Sequence, residues 1–255
     1  MTVAVELAGA VKTFGSGAEA VHAFGPADLR IEPGSFVSLL GPSGCGKSTL
    51  LLMIAGLLDG SAGEIRVGGK KVAGPQTDIG IVFQSHVLVD WRDVLGNVLL
   101  QVDLRGLRRA DYQDHARELL DSVGLGAFAG RRPYELSGGM QQRTAFCRAL
   151  VHDPPLVLMD EPLGALDAMT REQLRTDLER LWMRTGKTVI FVTHSIEEAV
   201  QLSDRVVVVS PRPGRIVRDI RIDLPRPRDL ETCEAPEFYG HVAEIKRIFA
   251  SYGVI

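Results

Sequence analysis

The sequence has little of what marks several common classes of protein. Its 255 residues include three cysteines, Cys45, Cys147 and Cys233, far apart and outside any CxxC or Cys/His cluster. That spacing excludes a disulfide framework and a zinc site of the usual kind, and makes reduced thiols the expectation. No apolar run approaches the ~20 residues needed to span a bilayer, and the nearest candidate, residues 50–58, falls far short. The N-terminus carries Glu6 and no basic start, so it does not read as a secretory signal. A net charge of -3 supplies no basic footprint for nucleic acid. Basic clusters such as residues 104–109 read as solvated helix faces. There is no internal repeat and no low-complexity segment.

What is present is an ordinary globular composition, 45% hydrophobic and 24% charged, in a chain long enough for one large α/β domain or a domain with an inserted lobe. The first forty residues alternate strand-like runs with Gly and Pro turns, as antiparallel β structure leading into the buried strand "FVSLL". "KSTLLLMIAGLL" reads as a helix, and "GEIRVGG" and "DIGIVFQ" as strands. β-branched runs then vanish, and the spacing predicts helices in an inserted lobe over about 88–152. The apolar runs "LVLMDEP" and "KTVIFVTHS" have the character of strands buried in a parallel sheet. A helix is expected from Thr170, with a capping box in "TREQ" and an apolar stripe of Leu174, Leu178, Leu181 and Trp182. A second capping box, "SIEE", opens a helix at Ser195. "RVVVVS" is a further strand, and a C-terminal extension over about 211–255 holds one more strand and a closing helix.

The motifs carry the chemistry. "GPSGCGKST", covering Gly41, Pro42, Ser43, Gly44, Cys45, Gly46, Lys47, Ser48 and Thr49, fits the phosphate-loop pattern between a strand and a helix. Its backbone N–H groups can wrap phosphate oxygens at a helix N-terminus, Lys47 can reach the β- and γ-phosphates, and Ser48 can coordinate Mg²⁺. Cys45 in this loop reads as inert filler. Asp160 and Glu161 end a buried strand, where Asp160 suits the metal and Glu161 can act as general base on an attacking water. Alone, the pair could be no more than an acidic strand end before a Pro turn; beside a phosphate loop the catalytic reading is preferred. His194 ends another strand. Strands ending at Leu40, Met159 and Thr193 would bring Gly41, Glu161 and His194 to one carboxyl edge, where such sheets bind ligands. Gln84 sits at a further strand terminus, either as a surface amide or as a group touching Mg²⁺ and water. "SGG" at Ser137, Gly138 and Gly139 opens a helix, either as a simple N-cap or as a second anion site.

The phosphate loop, Gln84, "LSGGMQQR", "LVLMDEP", "GALD" and "VTHS" occur in the order and approximate spacing of ATP-binding-cassette (ABC) ATPases, which the whole chain resembles. The resemblance implies an α/β fold: a P-loop NTPase core, mainly a parallel sheet with helices on both faces, plus an N-terminal antiparallel β part and the inserted helical lobe. It implies ATP and Mg²⁺, the metal held by Ser48, Gln84 and Asp160, with Glu161, His194 and Gln84 catalytic. It implies a head-to-tail homodimer in which Ser137, Gly138, Gly139 and Met140 close on ATP held by the partner's phosphate loop, and Asp167 of "GALD" crosses between the sites. Phe14 stands where the family usually stacks a Tyr on adenine, Met140 where Gln is common in the signature, and Gly164 where the family has Ser.

The segments around Trp91 and "SDRVVVVSPRPGRI" look like the importer branch for nitrate, sulfonate, taurine and related solutes. That implies a peripheral subunit at the cytoplasmic face of the membrane, bound to an integral permease and served indirectly by a solute-binding protein, with no nucleic-acid partner. Trp91 is either a permease contact or a core residue of the lobe. The rival readings are an ABC exporter ATPase, a soluble ABC ATPase acting on DNA or ribosomes, and an unrelated P-loop kinase, which would leave the "LSGG" helix without a role.

Overall fold

The computed structural model describes residues 1–254; Ile255, the last residue of the expected domain, lies outside them. β1 (Val5–Phe14) and β2 (Val21–Ile31) pair antiparallel, and β3 (Phe36–Leu40) begins a second sheet. After α1 (Lys47–Ile54), β4 (Ala62–Val67) and β5 (Lys70–Lys71) complete the first sheet in the order β2-β1-β4-β5. β6 (Ile79–Val82) is followed by α2 (Val94–Val98), α3 (Leu100–Leu104), α4 (Arg109–Ser122) and α5 (Gly138–Leu150). The chain then alternates through β7 (Leu156–Asp160), α6 (Ala168–Thr185), β8 (Thr188–Thr193), α7 (Ile196–Leu202) and β9 (Arg205–Val209). β10 (Ile216–Arg221), α8 (Leu230–Glu234) and α9 (Pro236–Ser251) close it. The second sheet runs β10-β9-β3-β8-β7-β6, all parallel except β10.

The central strands are apolar throughout because both faces are covered. Along β7, Leu156 and Leu158 point to one side and Val157 and Met159 to the other; β8 alternates in the same way. One side packs on α1 and the antiparallel sheet, through Leu50, Leu51, Ile54, Leu7 and Ile31. The other packs on α6 and on α2, α4 and α5, through Leu174, Leu178, Leu181, Val98, Leu120 and Phe146. α7 and α9 cover the β9 end of that side. This is the expected P-loop NTPase α/β architecture, helices on both faces included.

Three local expectations need correction. The helix after "GALD" begins at Ala168, and its cap is Asp167, whose carboxylate accepts from Thr170 N at 3.0 Å. Thr170 is therefore a donor inside the first turn, and the box at "TREQ" does not form. Ser195 does cap α7, accepting from Glu198 N. The Glu198 carboxylate does not reach back, because the Thr193 hydroxyl donates to it at 2.6 Å and Ser195 N donates to Thr193 Oγ1. Burial raises the Glu198 pKa. Finally, α8 was not anticipated: its five residues, capped by Asp229, are too few to show a helical period.

The C-terminal extension is fastened by two arginines. Arg228 is only 2% exposed. Its guanidinium donates to the carbonyls of Val200, Gln201, Ser203, Ile222 and Leu224. Burial lowers its pKa to about 10. Arg226 pairs with buried Glu179 at 2.8 Å and lies over the Trp182 ring, 4.2 Å from its centroid. An Arg228→Met chain keeps the volume and loses every donor. We expect it to lose at least ~3 kcal/mol, since each unmade buried hydrogen bond costs about 1 kcal/mol or more. A lower urea midpoint at unchanged slope would show it; an unchanged midpoint would mean the extension is not fastened there.

Candidate nucleotide site

The parallel register levels the strand ends. Leu40 pairs with Thr193, and Asp160 with Val192. Glu161 N donates to Val192 O at 3.0 Å, so the first residue beyond β7 is still tied to β8. The phosphate loop, Glu161 and His194 therefore leave the sheet side by side.

A cavity of about 370 Å³ lies there, lined by Ser43, Gly44, Gly46, Lys47, Ser48 and Thr49 of the loop. Phe14, Gln84, Asp160 and Glu161 line it as well. Gly41 and Cys45 support the loop from behind: both are buried, and burial raises the Cys45 pKa against the pull of Lys47. Gly46, the cap of α1, has φ +98, and a Cβ on it would meet Ala23 O at 2.5 Å. Only glycine lets the loop turn against β2 there.

Lys47 is 4% exposed. Its Nζ donates to Gly41 O and Pro42 O at 2.8 and 2.9 Å and lies 3.8 Å from Glu161 Oε1. The Ser48 hydroxyl donates to Asp160 Oδ1 at 2.8 Å. Burial raises the Asp160 pKa, and the Ser48 bond opposes it. On its other oxygen Glu161 meets His194 Nδ1 at 2.9 Å. Glu161 has φ +43, left-handed backbone that costs a non-glycine residue about 1–3 kcal/mol and is typical of active sites. Gln84 stands two residues beyond the end of β6, exposed rather than at the strand terminus itself. Its amide and the Glu161 carboxylate both lie beside Gly164: a Cβ there would be 3.6 Å from Gln84 Nε2 and 3.8 Å from Glu161 Oε2.

Hydroxyl, carboxylate and amide oxygens are hard donors that suit Mg²⁺. Among the described residues no cluster of three or more His, Cys, Asp or Glu could hold a metal unaided.

The signature turn stands apart. None of Ser137, Gly138, Gly139 and Met140 lines the cavity. Ser137 caps α5, accepting from Met140 N, and Ser137 and Gly138 are exposed. Gly139 is buried against α6, where a Cβ would meet Thr170 Cγ2 at 2.5 Å. Met140 packs on the core. Trp91 is 79% exposed, which removes the core-residue reading. Sequence reasoning missed two things. Arg212 also lines the cavity, brought there by the β9–β10 loop with no motif to mark it. Gln142 and Arg148 of α5 grip the loop after Gln84, at His86 Nδ1 and at the carbonyls of His86 and Val87.

A phosphate loop opening a helix, a carboxylate on the loop serine and an acid–imidazole pair at neighbouring strand ends define a P-loop nucleoside triphosphatase. The family described as ABC transporter matches residues 24–164. A taurine import ATP-binding protein of Ruegeria pomeroyi is 46% identical over 227 residues, 88% of this chain and 85% of that protein. Its counterpart from Rhizobium johnstonii is 48% identical over 237 residues, 91% and 90% of the two chains. An uncharacterized ABC transporter ATP-binding protein of Methanocaldococcus jannaschii is 45% identical across 96% of this chain and 92% of its own length. Among solved structures, the dimeric ATP-binding cassette MJ0796 in a post-hydrolysis state with ADP and Pi superposes with a TM-score of 0.74. The two are 35% identical, over 86% of this chain and 98% of that one. The chain belongs to the ABC transporter family, as an ATP-binding subunit that hydrolyses ATP.

Gly139 provides a test of what the signature glycine does within its own chain. Gly139→Ala should cost about 1–3 kcal/mol, as overpacking does. Adding Thr170→Ser, which removes Cγ2, should restore part of that in urea unfolding. A fully stable Gly139→Ala chain would show that the glycine is not needed for α5 to pack on α6.

Proposed function

We propose that this chain energises an importer of small solutes in the nitrate, sulfonate and taurine class, as a homodimer closed head to tail over two ATP molecules. The observation that carries the dimer is the separation of the chemistry. The cavity holds phosphate loop and acid, with the His194 imidazole bonded to that acid from outside the lining, while Ser137 and Gly138 face solvent elsewhere on the same chain. A helix N-terminus attracts anions, and in the head-to-tail arrangement this one faces the γ-phosphate in the partner's cavity. Asp167, whose pKa is lowered by the Thr170 N–H, lies at the crossing between the two sites. In this reading the whole chain is one nucleotide-binding domain, with residues 88–152 as an inserted lobe and 211–255 as an extension.

Within the cavity, Phe14 stacks on the base, and the loop amides with Lys47 hold the phosphates. Ser48, Asp160 and Gln84 would hold Mg²⁺, which when bound neutralises charge on the phosphate oxygens. Glu161 takes a proton from the attacking water, and His194 orients Glu161 through their hydrogen bond. Lys47→Ala should lose ATP binding. Glu161→Gln should keep binding, lose about 10²–10⁴ in turnover and accumulate as an ATP-bound dimer in size-exclusion chromatography with light scattering. Wild-type turnover in Glu161→Gln would overturn the base assignment.

The importer class rests on the likeness to taurine import ATP-binding proteins. No helix among the described residues is long and apolar enough to cross a membrane, so attachment at the cytoplasmic face would come from a permease. A groove of about 510 Å³ beside the Gln84 loop is lined by Ile81, Phe83, Val87, Val89, Leu100 and Leu104. Phe83, Val87 and Leu104 are exposed there, an apolar patch of the kind that marks a partner site. It is where a cytoplasmic segment of the permease docks, with exposed Trp91, two residues beyond Val89, as a further contact. The solute-binding protein acts through the permease. Purification of the tagged chain from detergent-solubilised membranes should recover a hydrophobic permease. Trp91→Ala should reduce that recovery and leave the ATPase of the isolated chain unchanged. Recovery of ribosomal or DNA-repair proteins alone would overturn the transport role.

A further inference from the structure

The loop between β9 and β10 does not project into solvent. Gly25 N donates to Gly214 O at 2.8 Å, and Phe24 bridges to Gly214. A Cβ on Gly214 would lie 1.9 Å from Cys45 O, so the loop rests directly on the back of the phosphate loop. Ser210 closes it, donating to the carbonyls of Pro211 and Pro213 and accepting from Arg215 N. Arg212, two residues before Gly214, is carried into the wall of the nucleotide cavity, which Phe14 and Val21 also line. Its side chain is exposed, and no ion pair with the described residues engages it.

The strand order says which end of the cavity Arg212 occupies. β8 and β7, with His194 and Glu161, lie on one side of β3, and β9 lies on the other. The phosphate loop leaves β3 between them. Phe14 pairs with Val21 across β1 and β2, and the Arg212 loop runs beside Ala23 and Phe24 of the same β2. Arg212 therefore stands with Phe14, at the end remote from Glu161. Lys12 Nζ covers the Phe14 ring from 5.0 Å and is tied down by Asp59 O at 2.7 Å. One ring face is thus already occupied, and the other is left for a base.

We propose that Arg212 is a base-binding residue, its planar guanidinium closing on the adenine that stacks against Phe14. Arginine suits this place because its delocalised plane stacks on aromatic faces and stays charged at any physiological pH. The inference rests on reading the phosphate-loop cavity as the nucleotide site.

The test is displacement of a fluorescent ADP analogue from the purified full chain, by ADP and by inorganic tripolyphosphate. ADP carries the base without the γ-phosphate, and tripolyphosphate carries phosphates without the base. Arg212→Ala should weaken ADP about 2- to 30-fold, the span of a cation–π contact from exposed to desolvated, and leave tripolyphosphate unchanged. Arg212→Lys should recover only part of the loss. Unchanged ADP affinity overturns the proposal. So does an equal loss for tripolyphosphate, which would make Arg212 a phosphate contact, and so does full recovery with Lys, which would make charge alone sufficient. Lys47→Ala is run beside them: if it binds both competitors as the wild type does, the reading of the cavity itself has failed, and the proposal with it.

Discussion

Everything at the nucleotide site hangs on the parallel ladder of β3, β8 and β7. Side chains alternate along a strand, so a slip of one residue would turn every buried Val, Ile and Leu to the opposite layer. Both layers are filled, one by α1 and the antiparallel sheet and the other by α5 and α6, so the register has no freedom. With Leu40 opposite Thr193 and Asp160 opposite Val192, the three loops begin at one level. The 2.9 Å contact between Glu161 and His194 is a consequence of that register, since neither residue lies within a strand.

The same register explains the electrostatics. Glu161 sits between Lys47 and His194, while Asp160, its neighbour in sequence, turns to the Ser48 hydroxyl. Adjacent residues in extended backbone point to opposite sides. The left-handed φ at Glu161 breaks that alternation at the point where the chain leaves the sheet. Two carboxylates one residue apart are thereby held to different partners. Gly164 lies beside Gln84 and Glu161: a Cβ there would make only ordinary contacts with both, so the Ser usual in the family would fit at this position.

The legible parts of the sequence were those in which one local pattern carries both structure and chemistry. The phosphate loop could be read because glycine spacing, a preceding apolar strand and a following helix coincide, and the long apolar strands because burial on both faces leaves continuous runs. The misreadings occur where a hydrogen bond from another segment outcompetes a local one. "TREQ" looks like a capping box, but Asp167 lies three residues earlier with the better acceptor. "SIEE" looks like one too, but Thr193, at the end of the preceding strand, takes the carboxylate. The clamp of Arg226 and Arg228 on Glu179 and the backbone around α7 spans dozens of residues and has no local signature at all. Trp91 was ambiguous because composition does not say which face of a short helical lobe is covered.

α5 connects these observations mechanically. Its 13 residues make a rod of about 20 Å. Ser137 and Gly138 are at the exposed end, offered to the partner's nucleotide in the proposed dimer. Further along, Gln142 and Arg148 hold His86 and Val87, which follow Gln84, and Val87 lines the apolar groove. Arg148 is buried, with its pKa lowered by burial, so releasing its two carbonyl acceptors would strand a buried charge. The grip is therefore expensive to break, and α5 cannot shift without carrying that loop along. Val87, held by Arg148 at φ +43, is a β-branched residue in left-handed backbone, a conformation kept only when its surroundings impose it. One rigid helix thus joins the surface that would sense a partner's ATP to the surface that would meet a permease, and in the proposed dimer closure at the first would be carried to the second through packing that is already in place in the single chain.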